Sequence, residues 1–184
     1  MISLRIRSLI NRLARIDATS GWSDSLNPAQ SAALDYLANA NRYSRAPSHV
    51  AEFLGTTRGT MSQTLKALAR KGLVTEERKE GDRRSISYNL TADGKAFAGV
   101  ASAISDALAG MKEKEIAALE ATLETTLRTA LAARGDRAFG LCKTCTFHDA
   151  TSAHGYCTLL DLPLKRGDPD LICVEHKEPT DDTA

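Results

Sequence analysis

The stretch VAEFLGTTRGTMSQTLKALARKGLVTEERKEGDRRSISYNLT, residues 50–91, decides the fold of this chain, because its hydrophobic period changes along its length. It first predicts a short helix that ends at Gly55, and then a longer helix over residues 57–71, capped by Thr56 or Thr57. The longer helix repeats apolar residues on one face, namely Met61, Leu65 and Leu68. Two runs rich in β-branched residues follow, LVTEERK and SISYNLT, and the turn EGDRR separates them. Helix, turn, helix and hairpin in this order predict a winged helix-turn-helix.

Further helices are predicted on both sides of this unit. Asn27 suits an N-cap and Pro28 suits the first helical position of LNPAQSAALDYLANANR. Residues 4–17, 91–110 and 112–134 also repeat apolar residues at helical spacing. The apolar surface of these three outer helices is larger than one small wing domain can cover, which favours a dimer.

The polar face of the longer helix suits the major groove of double-stranded DNA. That groove is about 12 Å wide and admits one α-helix, and residues 57–71 would span about 22 Å. Hydroxyls, an amide and two cations on this face can meet base edges and phosphates. They are Thr57, Arg58, Thr60, Ser62, Gln63, Thr64 and Lys66. Either this face or a charged hairpin tip alone would also suit a solvated surface, but their combination in this order is specific.

The hairpin tip carries Asp82, Arg83 and Arg84. These residues could reach a neighbouring minor groove, where arginine meets a strong negative potential. The charge distribution points the same way. Residues 1–100 carry 15 Lys and Arg against 9 Asp and Glu, whereas residues 101–184 carry 9 against 14. A basic front half favours a polyanionic partner.

Two segments, LNPAQSAALDYL and VAEFLGTTRGTMSQTLKALARKGLVTEERKEGDRRSISYNLTADGKAF, resemble the MarR-type transcription regulators. The resemblance extends over residues 5–134 and is most specific at ARKGLV and at the GDRR…LTADG wing. It implies a homodimer whose outer helices, here 4–17 and 91–134, interlock and space two recognition helices over an imperfect palindrome. It also implies that the protein usually acts as a repressor, and that Asp82 orients Arg84 for the minor groove. Members often bind a small-molecule effector near the dimer junction, and no fixed motif for one is evident here.

All four cysteines lie in the last quarter of the chain, after the linker-like stretch RGDRAFG. We therefore divide the chain into residues 1–134, with a wing-domain core at 27–97, and a cysteine-rich tail, residues 135–184. The expected fold class is mainly α with a small β-hairpin wing, helical dimerisation elements and an irregular, metal-bound C-terminal tail. The candidate metal ligands are Cys142, Cys145, Cys157 and Cys173.

The spacing of these cysteines indicates a metal site. C-x2-C places two sulfurs on one tight turn, and two further thiolates complete a set of four. Four cysteines satisfy tetrahedral zinc and also an iron–sulfur cluster. Inert thiols or a disulfide pair are a poorer explanation, because thiols stay reduced in the cytoplasm and scattered buried cysteines would not be confined to a polar tail.

The choice between the two cofactors is nearly even. Zinc ribbons usually have two C-x2-C knuckles, whereas here one knuckle is joined by two solitary cysteines, which favours a cluster held by loops. Zinc is the commoner metal in cytoplasmic proteins. We favour an iron–sulfur cluster slightly, because a regulator without a ligand motif still needs a redox or iron signal. Structural zinc, with a small molecule as the signal, is the alternative. His148 or His176 could replace a cysteine, although each is expected beside the ligands.

A thiol–disulfide redox protein that uses Cys142 and Cys145 is a hypothesis from another functional class. In such proteins C-x2-C usually opens a helix after a strand, whereas here it follows a glycine-containing linker. A metal-stabilised protein adaptor is a third interpretation. The sequence has no Gly-rich phosphate loop, nucleophile elbow or H-E-x-x-H motif. We therefore expect no enzymatic activity.

The sequence predicts a cytoplasmic protein. Its apolar runs are short and interrupted by charge, so no membrane helix is predicted. The N-terminal stretch MISLRIRSLINRLARI places arginines throughout its apolar residues, unlike a secretory signal.

Overall fold

The computed structural model describes residues 2–20, 26–79, 82–98 and 102–179, without the side chains of residues 20, 79 and 82–85. Seven α-helices and seven short strands lie in these ranges. The helices are α1 (Ile2–Ser20), α2 (Pro28–Asn39), α3 (Pro47–Phe53), α4 (Arg58–Arg70), α5 (Ala92–Phe97), α6 (Ala103–Ala109) and α7 (Glu113–Arg134). The strands are β1 (Val74–Lys79), β2 (Asp82–Leu90), β3 (Gly140–Leu141), β4 (His148–Asp149), β5 (Tyr156–Cys157), β6 (Leu162–Pro163) and β7 (Ile172–Cys173).

The helix boundaries follow the capping residues of the sequence. Asn27 caps α2 with a full capping box, in which its side chain and that of Gln30 each bond the other's backbone N–H. Thr57 caps α4 through its side-chain oxygen. Gly55 and Gly72 follow α3 and α4 with φ of +62° and +74°, a backbone conformation that glycine adopts without strain. The predicted starts and stops of these helices are therefore confirmed.

One hydrophobic core joins α2, α3, α4 and the hairpin. Its largest fully buried side chains include Leu34, Leu37, Val50, Met61, Leu65, Leu68 and Tyr88. Strands β1 and β2 are antiparallel, from Val74 opposite Leu90 to Lys79 opposite Asp82, with an irregularity after Arg78. Burial of these apolar side chains stabilises the fold by about 25 cal/mol for each Å² of apolar surface removed from water. This core holds α4 and the hairpin in one rigid unit.

The LTADG motif closes this unit through a tight backbone contact. Thr91 donates its hydroxyl to Gly72 C=O at 2.8 Å and caps α5 through the Gly94 N–H at 3.0 Å. A Cβ at Gly94 would overlap the carbonyl oxygen of Leu73. Glycine is therefore needed here for a close approach between α5 and the start of β1.

The continuous helix predicted over residues 91–110 is wrong. Helix α5 ends at Phe97, and Ala98 has an extended backbone with ψ of 139°. A new helix, α6, starts after the Ser102 cap, whose side chain accepts from Ser105 N–H. The sequence AFAGVAS explains the interruption, since glycine, a β-branched residue and a capping serine all weaken a helix interior.

The two longest helices leave apolar stripes exposed. Leu9 and Leu13 of α1 are 53% and 50% exposed, and Leu123 and Leu127 of α7 are 46% and 58% exposed. Helix α1 packs against α2 and α6. Large exposed apolar stripes on otherwise charged helices indicate a surface that a further chain covers. No helix in the described ranges is both long and apolar enough to cross a membrane.

The tail is made of short strands and turns around a small core of its own. Strand β3 pairs with β7, and β5 lies between β4 and β6, in antiparallel pairs of two residues each. Cys142, Cys157 and Leu164 form the buried centre of this core. So few apolar residues cannot offset the chain entropy of the segment, so the tail needs an additional stabilising interaction.

Candidate DNA-reading surface and cysteine site

Helix α4 separates an apolar face from a polar one. Met61, Leu65 and Leu68 are at most 1% exposed and anchor the helix in the core. Arg58, Gln63 and Lys66 are exposed. The 13 residues of the helix extend over about 20 Å. This is the size and surface chemistry that a helix needs to enter a major groove.

The threonine hydroxyl groups of α4 and its cap form hydrogen bonds within the helix and also contribute to its polar surface. Thr57 Oγ1 accepts from Thr60 N–H at 3.1 Å, and the hydroxyls of these two residues lie 2.8 Å apart. Thr64 donates its hydroxyl to Thr60 C=O at 3.0 Å. Ser62 and Thr64 are half-buried, whereas Thr57 and Thr60 are exposed. Of the seven residues predicted to meet DNA, the three with long side chains, Arg58, Gln63 and Lys66, thus offer the most accessible polar groups.

An ion pair lies on β1, the first strand of the wing. Arg78 forms an ion pair with Glu76 at 2.7 Å, and Tyr88 donates its hydroxyl to Glu76 at 2.9 Å. These hydrogen bonds, that of Arg78 first, hold the pKa of Glu76 below its usual value. At the tip, the side chains of Asp82, Arg83 and Arg84 lie outside the described residues. Their predicted role in the minor groove stays a prediction.

The tail brings its four cysteines into one neighbourhood. Cys142 begins a 3-10 turn, Cys157 ends β5 and Cys173 ends β7, while Cys145 follows the turn. All four are free thiols, and all but Cys145 are buried. Burial, and after it the charges of the other three cysteines, raise the pKa of Cys142 to about 12. Cys142 and Cys157 pack in the same small core, and Cys142 donates its N–H to Leu171 C=O, just before β7, at 3.1 Å.

Hydrogen-bond donors point at two of the sulfurs. Lys177 donates its backbone N–H to Cys145 Sγ at 3.4 Å. Burial raises the pKa of Cys173, and hydrogen bonds from the Asn41 side chain and the Glu175 backbone oppose that rise. Donors of this kind stabilise sulfur in its thiolate form, which is the form that binds metals.

The histidines of the tail lie beside this group of thiols. The Nε2 atom of His176 is 2.9 Å from Thr144 Oγ1, and its ring lies against Gly140. His148 pairs with Cys157 across β4 and β5, and its Nε2 is buried without a partner among the described residues. In the part of the chain that the structure describes, no three His, Cys, Asp or Glu side chains stand in positions to hold a metal ion. Neither the cysteine set nor a histidine ligand is therefore confirmed.

The tail docks on the loop between α2 and α3, residues 40–46, which we call the connecting segment. Asn41 donates its N–H to Ile172 C=O at 2.9 Å, and Val174 donates its N–H to Ser44 Oγ, also at 2.9 Å. Ser44 and Val174 are buried. Sequence reasoning missed this contact, because a polar loop gives no hydrophobic period that would mark it as an interface.

Aromatic and charged contacts extend the docking surface onto α3. The Phe139 ring lies 5.3 Å from that of Phe53 and 6.5 Å from that of Tyr36. Arg137 approaches Glu52 of α3 at 3.5 Å and Glu175 of the tail at 3.6 Å. His49 is half-buried in this charged neighbourhood, and burial lowers its pKa. Phe139 of the linker thus contributes an apolar side chain to this contact.

The sequence model of the MarR family matches residues 24–85, which run from just before α2 into β2. This segment is therefore similar to the MarR family, and it folds as a winged helix-turn-helix. Solved structures share the MarR fold over a longer range, and no curated protein matches the chain.

Three of those structures illustrate the likeness. The MepR–DNA complex of Staphylococcus aureus has a TM-score of 0.54 at 21% identity and covers 71% of this chain and 98% of its own. A MarR regulator from Methanosarcina mazei Go1 has a TM-score of 0.55 at 17% identity, with 72% and 98% covered. FabT of Streptococcus pneumoniae in complex with DNA has a TM-score of 0.50 at 26% identity, with 72% and 96% covered.

The MarR match confirms the expected fold class in its helical and wing parts. These likenesses show the fold that this chain shares with the MarR structures. The matched regions include 98% of the MepR chain and 98% of the Methanosarcina mazei chain. They include 71% and 72% of this chain, so the unmatched part is similar in size to the tail. The proposed domain boundary at residue 134 stays a prediction.

Proposed function

We propose that this chain is a homodimeric MarR-type regulator that binds a palindromic operator, usually as a repressor, and carries a metal cofactor on its four cysteines. The observation that carries the proposal is the polar face of α4, presented by a MarR-like winged helix-turn-helix. MepR and FabT, which share this fold, were solved bound to DNA. In the dimer, the two α4 helices would meet half-sites separated by about one helical turn, 10 bp.

The dimer is supported by the apolar stripes of α1 and α7. Ile6, Leu9 and Leu13 of α1 and Leu119, Leu123 and Leu127 of α7 are all more than a third exposed. A second copy of the chain would cover them with the same stripes, as two-fold symmetry requires. Their burial would also fix the separation of the two recognition helices.

The chemistry of the four cysteines supports a metal cofactor, because thiolates are ligands of both zinc and iron–sulfur clusters. Burial, and after it the neighbouring cysteines, raise the pKa of Cys142, and burial raises the pKa of Cys173, so forming a thiolate at either one has a free-energy cost in the absence of a cation. A bound metal removes this cost and adds the stability that the small core of the tail lacks. We propose that ligation draws together the four sulfurs, Cys142, Cys145, Cys157 and Cys173. The N–H donors at Cys145 and Cys173 would stabilise them as ligands.

We favour an iron–sulfur cluster over zinc as this cofactor. An iron–sulfur cluster supplies a redox- and iron-labile group, and zinc supplies a static cross-link. In the first case the tail is a sensor, and in the second it braces the DNA-binding unit while a small molecule carries the signal. A redox-active thiol pair needs a lowered pKa at its nucleophile, and the raised pKa of Cys142 gives that hypothesis no support.

The test is a metal analysis of protein purified without oxygen. We expect matching iron and sulfide and a broad visible absorption that the double variant Cys142→Ser/Cys145→Ser lacks, because it loses two ligands. The control Thr146→Ser, an exposed residue next to the knuckle, should keep the cofactor. A colourless protein with about one zinc per chain would make the tail a brace. A protein without bound metal would disprove the cofactor proposal and leave the DNA-binding proposal standing.

A further inference from the structure

The guanidinium group of Arg45 binds the C-terminal end of α2. Its Nε and Nη2 atoms donate to the carbonyl oxygen of Ala40, at 3.0 Å and 2.8 Å. Ala40 is the C-cap of α2 and is fully buried. The last carbonyl groups of a helix lack partners within it and carry partial negative charge, so a cation stabilises them. Two hydrogen bonds therefore fix the Arg45 side chain to the end of α2.

The same residue binds β2 at two neighbouring positions. Its carbonyl oxygen accepts from Tyr88 N–H at 3.1 Å, on the edge of β2 that is not paired with β1. Its Nη1 atom donates to Asn89 Oδ1 at 2.8 Å. Because successive strand residues point to opposite faces, Arg45 holds both the backbone of β2 and a side chain on one of its faces. Arg45 thus connects the end of α2 to the second strand of the wing.

Asn89 extends this contact to β1. Its Nδ2 atom donates to Glu77 Oε2 at 2.7 Å, although the residue opposite Asn89 in the strand register is Thr75. The amide therefore reaches diagonally across the hairpin. Its orientation is fixed, because the oxygen must face the guanidinium group and the nitrogen must face the carboxylate. One chain of hydrogen bonds thus leads from α2 through Arg45 and Asn89 to both strands.

The contacts of Arg45 lie at the base of the hairpin, and the predicted DNA contacts lie at its tip. Strand β2 has 9 residues, which at about 3.4 Å per residue places the tip roughly 25–30 Å from the base. A rotation of the hairpin by about 10° about its base would therefore move the tip by about 5 Å. This displacement exceeds the length of a hydrogen bond, about 3 Å. An isolated two-stranded hairpin is also only marginally stable, so its direction depends on the groups that hold its base.

We propose that Arg45 is a positioning residue for DNA binding, which sets the direction of the wing relative to α4. This inference rests on the proposed DNA-binding function, and it needs no cofactor in the tail. Helices α2 and α4 share one hydrophobic core, so a strand that is fixed to the end of α2 is also fixed relative to α4. With the hairpin held in this direction, its tip meets the minor groove while α4 lies in the major groove. Arg45 acts through Arg83 and Arg84 of the tip and makes no DNA contact itself.

Two other roles of Arg45 would give different results. A residue that only stabilises the fold changes the fraction of folded protein and leaves the affinity of the folded molecules unchanged. A residue that contacts a phosphate weakens binding and lowers the salt slope, whether or not the tip of the wing is intact. A positioning residue weakens binding only while the tip still carries the groups that it positions.

A double-mutant cycle with the tip of the wing tests the positioning role. The probe is a DNA duplex that the natural protein selects from a random library, and binding is measured well below the thermal midpoint of each full-length variant. Arg45→Met keeps the stem of the side chain and removes its three hydrogen bonds. We expect it to weaken binding about five- to tenfold in the natural background, and by less than about twofold in Arg83→Ala/Arg84→Ala, which has no tip cation to position. Equal weakening in the two backgrounds would overturn the positioning role.

Arg42→Met is the matched control. Arg42 lies in the same connecting segment, and its guanidinium donates to Pro163 C=O of the tail at 3.5 Å. Its truncation leaves the bonds of Arg45 in place, so we expect an unchanged affinity in both backgrounds. A loss as large as that of Arg45→Met would show that any truncation in this segment weakens binding, which contradicts a specific role of Arg45.

Asn89→Ala tests the same contact from the side of the wing. It removes the oxygen that accepts from Arg45, and it leaves the bonds between Arg45 and Ala40 in place. We expect the same loss of affinity as for Arg45→Met, again only with an intact tip. An unchanged affinity for Asn89→Ala would show that the contact between Arg45 and β2 does not position the wing.

Backbone hydrogen exchange separates a local change at the wing from a general loss of stability. In Arg45→Met, the exchange of the Tyr88 amide should accelerate at least about fivefold more than that of the Leu65 amide in the middle of α4. The physical reason is that Tyr88 N–H bonds to Arg45, whereas Leu65 lies in the core. Equal acceleration of the two amides would indicate a general loss of stability and would refute the local role.

The outcomes separate this inference from the proposed function. A natural protein that selects no duplex from the library would contradict the proposed DNA binding, and with it this inference. A natural protein that binds a duplex no better than Arg83→Ala/Arg84→Ala does would leave the wing without a DNA contact. That result would overturn the role of Arg45 and keep DNA binding through α4.

Discussion

At the scale of residues, the polar face of α4 combines structural and DNA-binding groups. Thr57 caps the helix, and Thr60 and Thr64 are bonded within it. Arg58 is an exposed cation at the N-terminus of α4, which itself favours phosphate, and Lys66 is an exposed cation about two turns further along the helix. The threonines are therefore expected to set the helix start, whereas the cations contribute most of the salt-dependent affinity.

The tip of the wing gives a prediction at this scale. Arg84→Ala should weaken binding to a duplex selected from a random library by about tenfold and reduce the salt slope of the affinity by about 1. The physical reason is the loss of one cation from a minor groove of strong negative potential. Fluorescence anisotropy over a series of salt concentrations measures both quantities. Arg134→Ala, at the end of α7 and paired with Asp136, is the control and should leave both unchanged. Equal affinities for the natural protein and Arg84→Ala would show that the wing does not contact DNA.

At the scale of elements, the exposed stripes of α1 and α7 are the surfaces that the proposed dimer would bury. Apolar residues recur along α7 at Ile116, Leu119, Leu123, Leu127 and Leu131, so they share one face of the helix. Threonines on the same helix bond to carbonyls four residues earlier, for instance Thr125 to Ala121 at 2.8 Å. These threonines on the polar side of α7 therefore have hydrogen-bond partners within the helix. The apolar side of α7 would be stabilised by burial against a partner surface.

A charge on this stripe should separate the proposed dimer into monomers. Leu123→Glu is expected to shift the protein to monomers at micromolar concentration, because an unpaired carboxylate would be buried in an apolar interface. Ala118→Glu places the same charge on the opposite, exposed face of α7 and should leave the dimer intact. Sedimentation velocity of the two variants measures the difference. If both variants sediment as the natural protein does, α7 is not part of the interface.

At the scale of the whole molecule, the tail is part of the support of the DNA-binding unit. Phe139 and Ile172 pack on the core formed by α2, α3, α4 and the hairpin, and the Arg128–Glu178 ion pair at 2.9 Å reaches α7. The tail thus contacts both the helix-turn-helix and one of the outer helices. A metal site in this position would influence the stability of each.

Removal of the tail should therefore destabilise the rest of the protein. A chain that ends at residue 134 uncovers Tyr36 and Phe53 and loses the buried bonds at Asn41 and Ser44. We expect a loss of about 3 kcal/mol, from the apolar area exposed and the hydrogen bonds left unmade. The thermal midpoint measured by circular dichroism should fall by roughly 5–10 °C. A chain that ends at residue 179 keeps every described contact and should melt as the full chain does. Equal midpoints for all three chains would show that the tail is only tethered.

The sequence by itself determined the helices, their caps and the wing, because hydrophobic period, capping residues and glycines act over a few neighbouring positions. Asn27, Thr57 and Gly72 did what their local chemistry predicts. It also indicated the four cysteines as a group, from their confinement to one segment. The continuous helix predicted over residues 91–110 is wrong, because the apolar period continues past Ala98 and Ser102, where the backbone is not helical.

Only the tertiary structure decided where the tail lies. The contact of Asn41 and Ser44 with residues 172 and 174 joins positions 130 residues apart, through single polar groups in loops. No periodicity records such a contact, since a buried polar loop is defined by the partners that satisfy it and not by its own composition. The nearness of the cysteine site to the wing is for the same reason a property of the folded chain alone.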